Sequence, residues 1–140
     1  MREAFIFPGQ GSQYVGMGSE WYEGYPIARD IYDTADDILG FKLSEISFQG
    51  PVEKLRQTEF TQPAIFVHSV FLDKLLKEKG FRRNAVAGHS LGEFSALVSA
   101  EVISFEEALQ IVKVRSAEMA KAGQYNAGTM AAIIGADDSQ

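Results

Sequence analysis

Two glycines with three residues between them, Gly88-His89-Ser90-Leu91-Gly92, constrain this chain more than any other stretch. The apolar run before them, Asn84-Ala85-Val86-Ala87-Gly88, predicts a buried strand, and Phe94 to Ala100 predicts a helix of small residues. A strand can enter a helix through so short a turn only if the residues two before and two after its apex come close together. Glycine alone avoids the resulting clash. The turn would lift the Ser90 hydroxyl clear of the sheet and set it at a helix N-terminus, where partial positive charge favours a developing oxyanion. Ser90 is therefore the candidate nucleophile, weighed against a plain glycine-bracketed turn. The backbone N–H of Leu91 is the expected oxyanion donor.

The rest of the chain reads as alternating strands and helices. Ala4-Phe5-Ile6-Phe7, stopped by Pro8-Gly9, predicts a strand buried on both faces. Pro26 can open a helix with Ile27, Ile31, Ala35 and Ile38 on one stripe and Gly40 at its stop. Short helical pieces are expected from Phe41 to Thr61, and a stronger helix from Pro63 that ends in Lys74, Lys77, Lys79 and Gly80. Ser104 and Glu107 form a capping box for a long helix from Phe105 to near Gly123. Thr129 to Gly135 reads as a third strand. The order predicts an α/β fold with a parallel sheet.

Composition narrows the function classes. At 140 residues the chain is one domain or part of one, and its 46% hydrophobic content suits a packed core. No apolar run approaches the ~18 residues of a membrane span, and no leader peptide is recognisable, so a cytoplasmic protein without a membrane partner is expected. Thirteen Lys and Arg against nineteen Asp and Glu give a net charge of −6, which argues against nucleic acid as partner. Without cysteine there is no disulfide framework or thiolate chemistry, and no spacing of His, Asp and Glu suggests a metal.

Three further features carry chemistry or its bland alternative. The loop Phe7-Pro8-Gly9-Gln10-Gly11-Ser12-Gln13 follows the first strand, where loops of α/β sheets line the active crevice. Gln10 there could help bind an oxyanion, against the reading of a glycine-rich turn with solvated glutamines. Arg115 falls at the edge of an inward stripe formed by residues 105, 108, 109, 112, 116 and 119. A guanidinium there needs a partner: Glu118, Glu93 or the free carboxylate of a substrate, with the salt bridge favoured on spacing alone. His68 reads as a core or boundary residue. Lys77, Lys79, Arg82 and Arg83 read as a solvated helix end, with the phosphates of a ligand or an acidic partner as the alternative.

These motifs together resemble the malonyl-CoA:acyl carrier protein transacylase family. Phe7 to Gln13, Thr61-Gln62-Pro63-Ala64, Gly88 to Glu93, Val114-Arg115 and Gly128 to Ile133 match its signatures in order. The resemblance implies an α/β-hydrolase-like core across residues 1–127, incomplete, and the first strand of a ferredoxin-like subdomain across residues 128–140. It implies a ping-pong transfer in which Ser90 takes malonyl from malonyl-CoA, the substrate, and passes it to the phosphopantetheine thiol of acyl carrier protein. It implies no cofactor. Gln10 and Leu91 would form the oxyanion hole, Gln62 and His89 would line the pocket, and Arg115 would bind the malonyl carboxylate.

One requirement is left open. A serine nucleophile needs a base within hydrogen-bond reach. The chain has two histidines, His68 upstream on a helix and His89 on the turn itself, and neither suits. In the family a downstream histidine serves, so a fragment or split enzyme completed by a second polypeptide is expected. A scaffold without turnover and a different serine acyl enzyme, such as an esterase, are the competing readings; the Phe7–Gln13 loop and Arg115 disfavour the esterase.

Overall fold

The computed structural model describes residues 3–125. Two short strands, β1 (Ala4–Phe7) and β2 (Ala85–Gly88), pair in parallel with Ala4 opposite Ala85 and Phe7 opposite Gly88. The His89 N–H extends the ladder by donating to the Phe7 carbonyl at 3.1 Å. Five helices lie between the strands in sequence: α1 (Ser19–Gly24), α2 (Pro26–Leu39), α3 (Leu43–Gln49), α4 (Val52–Leu55) and α5 (Thr58–Glu78). After β2 come α6 (Gly92–Ser99) and α7 (Phe105–Tyr125). The expected strand at 129–135 and the expected boundary after residue 127 lie outside the described residues.

Helix α2 starts at Pro26 and stops at Gly40, which takes a left-handed conformation (φ 79°). Its buried stripe is Ala28, Ile31, Tyr32, Ala35 and Leu39, one position round from the one expected, while Ile27 and Ile38 are half-buried. Tyr32 sets that rotation. Its fully buried ring meets Tyr22, Phe48 and Phe71 at centroid distances of 6.2, 4.9 and 5.9 Å. An aromatic ring buries more area than an isoleucine, so the helix turns it inward.

Helix α5 begins five residues before the expected start, with Pro63 inside it. The missing proline N–H orphans only the Glu59 carbonyl, on an exposed residue of the first turn. Two contacts hold that turn: Thr61 donates its hydroxyl to the Leu55 carbonyl, and Phe60 packs edge-on against Phe41 at 5.1 Å. The capping box of α7 forms, with the Ser104 N–H and hydroxyl donating to Glu107 at 3.0 and 2.9 Å. The Glu107 N–H returns a bond to Ser104 Oγ at 3.1 Å. Phe105, Ala108, Leu109, Val112 and Ser116 are buried along the expected stripe, whereas Met119 is 38% exposed.

The strands depart most from expectation. Phe7 is buried, but Ala4, Ile6, Ala85 and Ala87 face outward, with Ile6 79% exposed. Helix α6 packs on both strands, and among the described residues nothing covers the face that carries Ile6. Burial on both faces needs a second layer.

Basic residues 79–83 lie beside Glu3 and Asn84, at the strands' N-terminal ends. Lys77 and Arg83 reach buried Asp73 at 3.3 and 3.9 Å. The expected solvated helix end therefore holds only in part: Lys79 and Arg82 are exposed, whereas Lys77 and Arg83 are partly covered and paired with a buried carboxylate. No helix of the described residues is long and apolar enough to cross a membrane.

Candidate active site

The turn after β2 has the geometry its sequence requires. A Cβ on Gly88 would stand 2.1 Å from the Gly92 carbonyl, and one on Gly92 would stand 2.2 Å from the Phe7 oxygen. Both glycines are needed because backbone fills the space a side chain would take. Ser90, at the apex, is held at φ 54°, a conformation that costs a non-glycine residue about 1–3 kcal/mol and is sustained only by surrounding structure. The chain then enters α6: Gly92 donates to the His89 carbonyl at 2.9 Å and Glu93 to the Ser90 carbonyl at 3.2 Å. The Leu91 side chain is buried, while its N–H meets no acceptor among the described residues. An unengaged N–H beside an exposed serine hydroxyl is what an oxyanion requires.

The loop after β1 lies against this turn. A Cβ on Gly9 would stand 2.7 Å from the His89 carbonyl and 2.8 Å from its Nδ1, so the imidazole lies over Gly9. Gln10 follows directly, and its side chain turns toward the start of α5. Its amide donates weakly to Thr58 Oγ1 at 3.4 Å. The loop is braced by the Gly11 N–H on Gln13 Oε1 at 2.9 Å and by the Ser12 hydroxyl on the Gly9 carbonyl at 3.0 Å.

Arg115 reaches into the same place from α7. Nη1 donates to Gln62 Oε1 and Nη2 donates to Ser90 Oγ at 3.0 Å. Cζ lies 5.8 Å from the Phe94 ring centroid. Neither carboxylate suggested by spacing is its partner. Glu118 pairs with Lys121 at 2.7 Å, and Glu93 has no ion pair among the described residues. The local reason is rotation: burying Val112 and Ser116 turns Arg115 toward Gln62 and leaves Glu118 exposed on the helix. Gln62 is fully buried, and its Nε2 donates to Met119 Sδ at 3.2 Å, which directs Oε1 to the guanidinium.

Arg115 thus joins Ser90 to Gln62, and the Gly9 end of the first loop lies against His89 on the same turn. Phe94, Thr58 and Met119 were missed. The spacing marks Met119 only as part of the inward stripe of α7, and nothing local in the sequence marks Phe94 or Thr58, which meet the site through packing of separate elements. His68 lies away from this group, on the groove between α5 and β1. Its Nδ1 is buried without a hydrogen-bond partner, and burial lowers its pKa. The sequence predicts a satisfied core or boundary histidine; the half-buried ring instead has an unpartnered Nδ1.

The profile of the acyl transferase domain family matches residues 4–139. The malonyl CoA-acyl carrier protein transacylase of Bacillus subtilis is 46% identical over 96% of this chain, which spans 42% of that protein. The Synechocystis malonyl-CoA:ACP transacylase structure superposes with a TM-score of 0.84 at 48% identity, over 87% of this chain and 41% of that one. A malonyl-transacylase solved with a type II PKS acyl-carrier protein gives 0.82 at 41% identity, over 87% of this chain and 40% of that one. The chain spans less than half the length of these relatives. A match running almost from end to end, at such identity and over the same α/β backbone, makes this chain a member of the acyl transferase domain family.

Proposed function

We infer that this chain supplies the nucleophile, oxyanion and carboxylate-binding groups of a malonyl-CoA:acyl carrier protein transacylase. The observation that carries the reading is Arg115, whose guanidinium meets Gln62, Ser90 and Phe94 with no carboxylate among the described residues. A cation with neutral partners beside a serine hydroxyl suits an acyl donor that bears its own negative charge.

In the first half-reaction Ser90 Oγ attacks the thioester carbonyl of malonyl-CoA, and the donor's carboxylate is held by the free N–H groups of Arg115. The carbonyl oxygen becomes an oxyanion, met by the Leu91 N–H and the Gln10 amide. The C–S bond breaks, coenzyme A leaves as the thiol with the serine's proton, and a malonyl-Ser90 ester remains. In the second half the phosphopantetheine thiol of acyl carrier protein attacks that ester, and Ser90 regains its proton. The fold that supports this is the α/β-hydrolase type, with Ser90 on a nucleophile elbow. His89 and Gln62 line the pocket.

Proton transfer needs a base that the described residues do not place at Ser90. His89 lies over Gly9 and His68 lies on another groove. The base would come from residues outside the described ones, and the chain matches less than half the length of its relatives. A binding component without turnover is favoured by that same missing base.

Intact mass decides between them. The chain is incubated with malonyl-CoA, with and without any co-purifying polypeptide. One malonyl adduct on the parent and none on Ser90→Ala supports the transferase. No adduct in any mixture supports the binding component.

A further inference from the structure

We propose that Phe94 is a positioning residue for acyl-group selectivity, acting through Arg115 and resting on the carboxylate-binding role given to that arginine. The Arg115 Cζ lies 5.8 Å from the Phe94 ring centroid, over its face, within the range at which a guanidinium is drawn to the negative π-cloud. Phe94 is half-buried and packs against the core. It stands on the first turn of α6, where its N–H donates to the Leu91 carbonyl at 3.1 Å. The ring is therefore fixed to the same turn that fixes Ser90.

A guanidinium has five N–H donors in one plane. Gln62 and Ser90 each accept from one terminal nitrogen. Those two bonds pin the tip at two points but leave the plane able to tilt about the line between them. A ring face restrains the plane itself, and it does so without adding negative charge. A carboxylate in its place would hold the arginine equally well and neutralise it. Phe94 thus aims the remaining donors at a ligand carboxylate while leaving the charge available, a preorganisation that lowers the ordering cost of binding. A donor with a neutral acyl group gains nothing from it, so the effect falls on the ratio between charged and neutral donors.

The 140-residue chain is titrated by calorimetry with malonyl-CoA and with acetyl-CoA, as parent, Phe94→Leu, Phe94→Tyr and Arg115→Ala. Phe94→Leu keeps an apolar body without the π-face, and should weaken malonyl-CoA about fivefold while acetyl-CoA changes less than about twofold. Phe94→Tyr should restore the parent preference, and Arg115→Ala should abolish it. Equal weakening of both donors by Phe94→Leu, or none, overturns the proposal and leaves the Arg115 reading standing. An Arg115→Ala chain that keeps its malonyl preference overturns both, as does a parent without one.

A second measurement holds if Phe94→Leu fails to fold. In the NMR spectrum of the parent, the Arg115 Nε–H proton, assigned by its loss in Arg115→Lys, should lie upfield of other arginines through the ring current of Phe94. An unshifted resonance overturns the proposal.

Discussion

The Arg115 guanidinium is left without a counter-charge because its polar partners, Gln62 and Ser90, are neutral. The choice of amide over acid at Gln62 then sets whether the cation is open to a ligand. Gln62→Glu places a carboxylate at the guanidinium and should cost malonyl loading about tenfold or more, with acetyl loading less affected, in adduct formation followed by mass. His68 is a residue of a different kind, with an unpartnered buried Nδ1 and a pKa that burial holds below 6.5. The neutral ring is favoured in the folded state, so the unfolded chain takes up a proton first as pH falls. Stability is thus complete above the ordinary histidine value and is lost below it. His68→Phe should flatten the fall in melting temperature between about pH 7 and pH 5; an unchanged slope would remove His68 from that acid dependence.

Among elements, the β2–α6 turn carries the strictest steric demand. A methyl on Gly92 would meet the Phe7 carbonyl at 2.2 Å, and backbone cannot yield as a side-chain tip does. Gly92→Ala should cost about 1–3 kcal/mol or more in denaturant unfolding and stop adduct formation on Ser90. A variant of parent stability and reactivity would mean that the turn tolerates a Cβ. This element was legible because glycine spacing reports a backbone approach directly. The α7 cap was legible for a similar reason, since Ser104 and Glu107 satisfy each other locally. The start of α5 was not, because Pro63 signals a helix beginning while the contacts that extend the helix, Phe60 on Phe41 and Thr61 on Leu55, come from other segments. The partners of Arg115 were illegible for the same reason. Spacing along α7 offered Glu118, and the choice of Gln62 and Phe94 was made by packing of α5 and α6 against α7.

For the whole molecule, the α/β class and the parallel pairing of β1 with β2 follow from apolar runs separated by helical patterns, and both are present. Burial of the sheet did not follow. An apolar strand sequence states what a strand needs covered, not what covers it, and Ile6 stands 79% exposed beside a groove of about 450 Å³ along β1. Ser90, the Leu91 N–H and Arg115 thus gather past the C-terminal end of β2, without a base among the described residues, while the face of the sheet that carries Ile6 stays uncovered. The most direct test of the proposed carboxylate-binding role is the ratio of malonyl to acetyl loading on Ser90, measured by intact mass for parent and Arg115→Ala, with and without any co-purifying polypeptide. A drop of about 100-fold or more in malonyl loading, with acetyl loading within about fivefold of the parent, is the predicted result. Equal losses for the two acyl groups would contradict it.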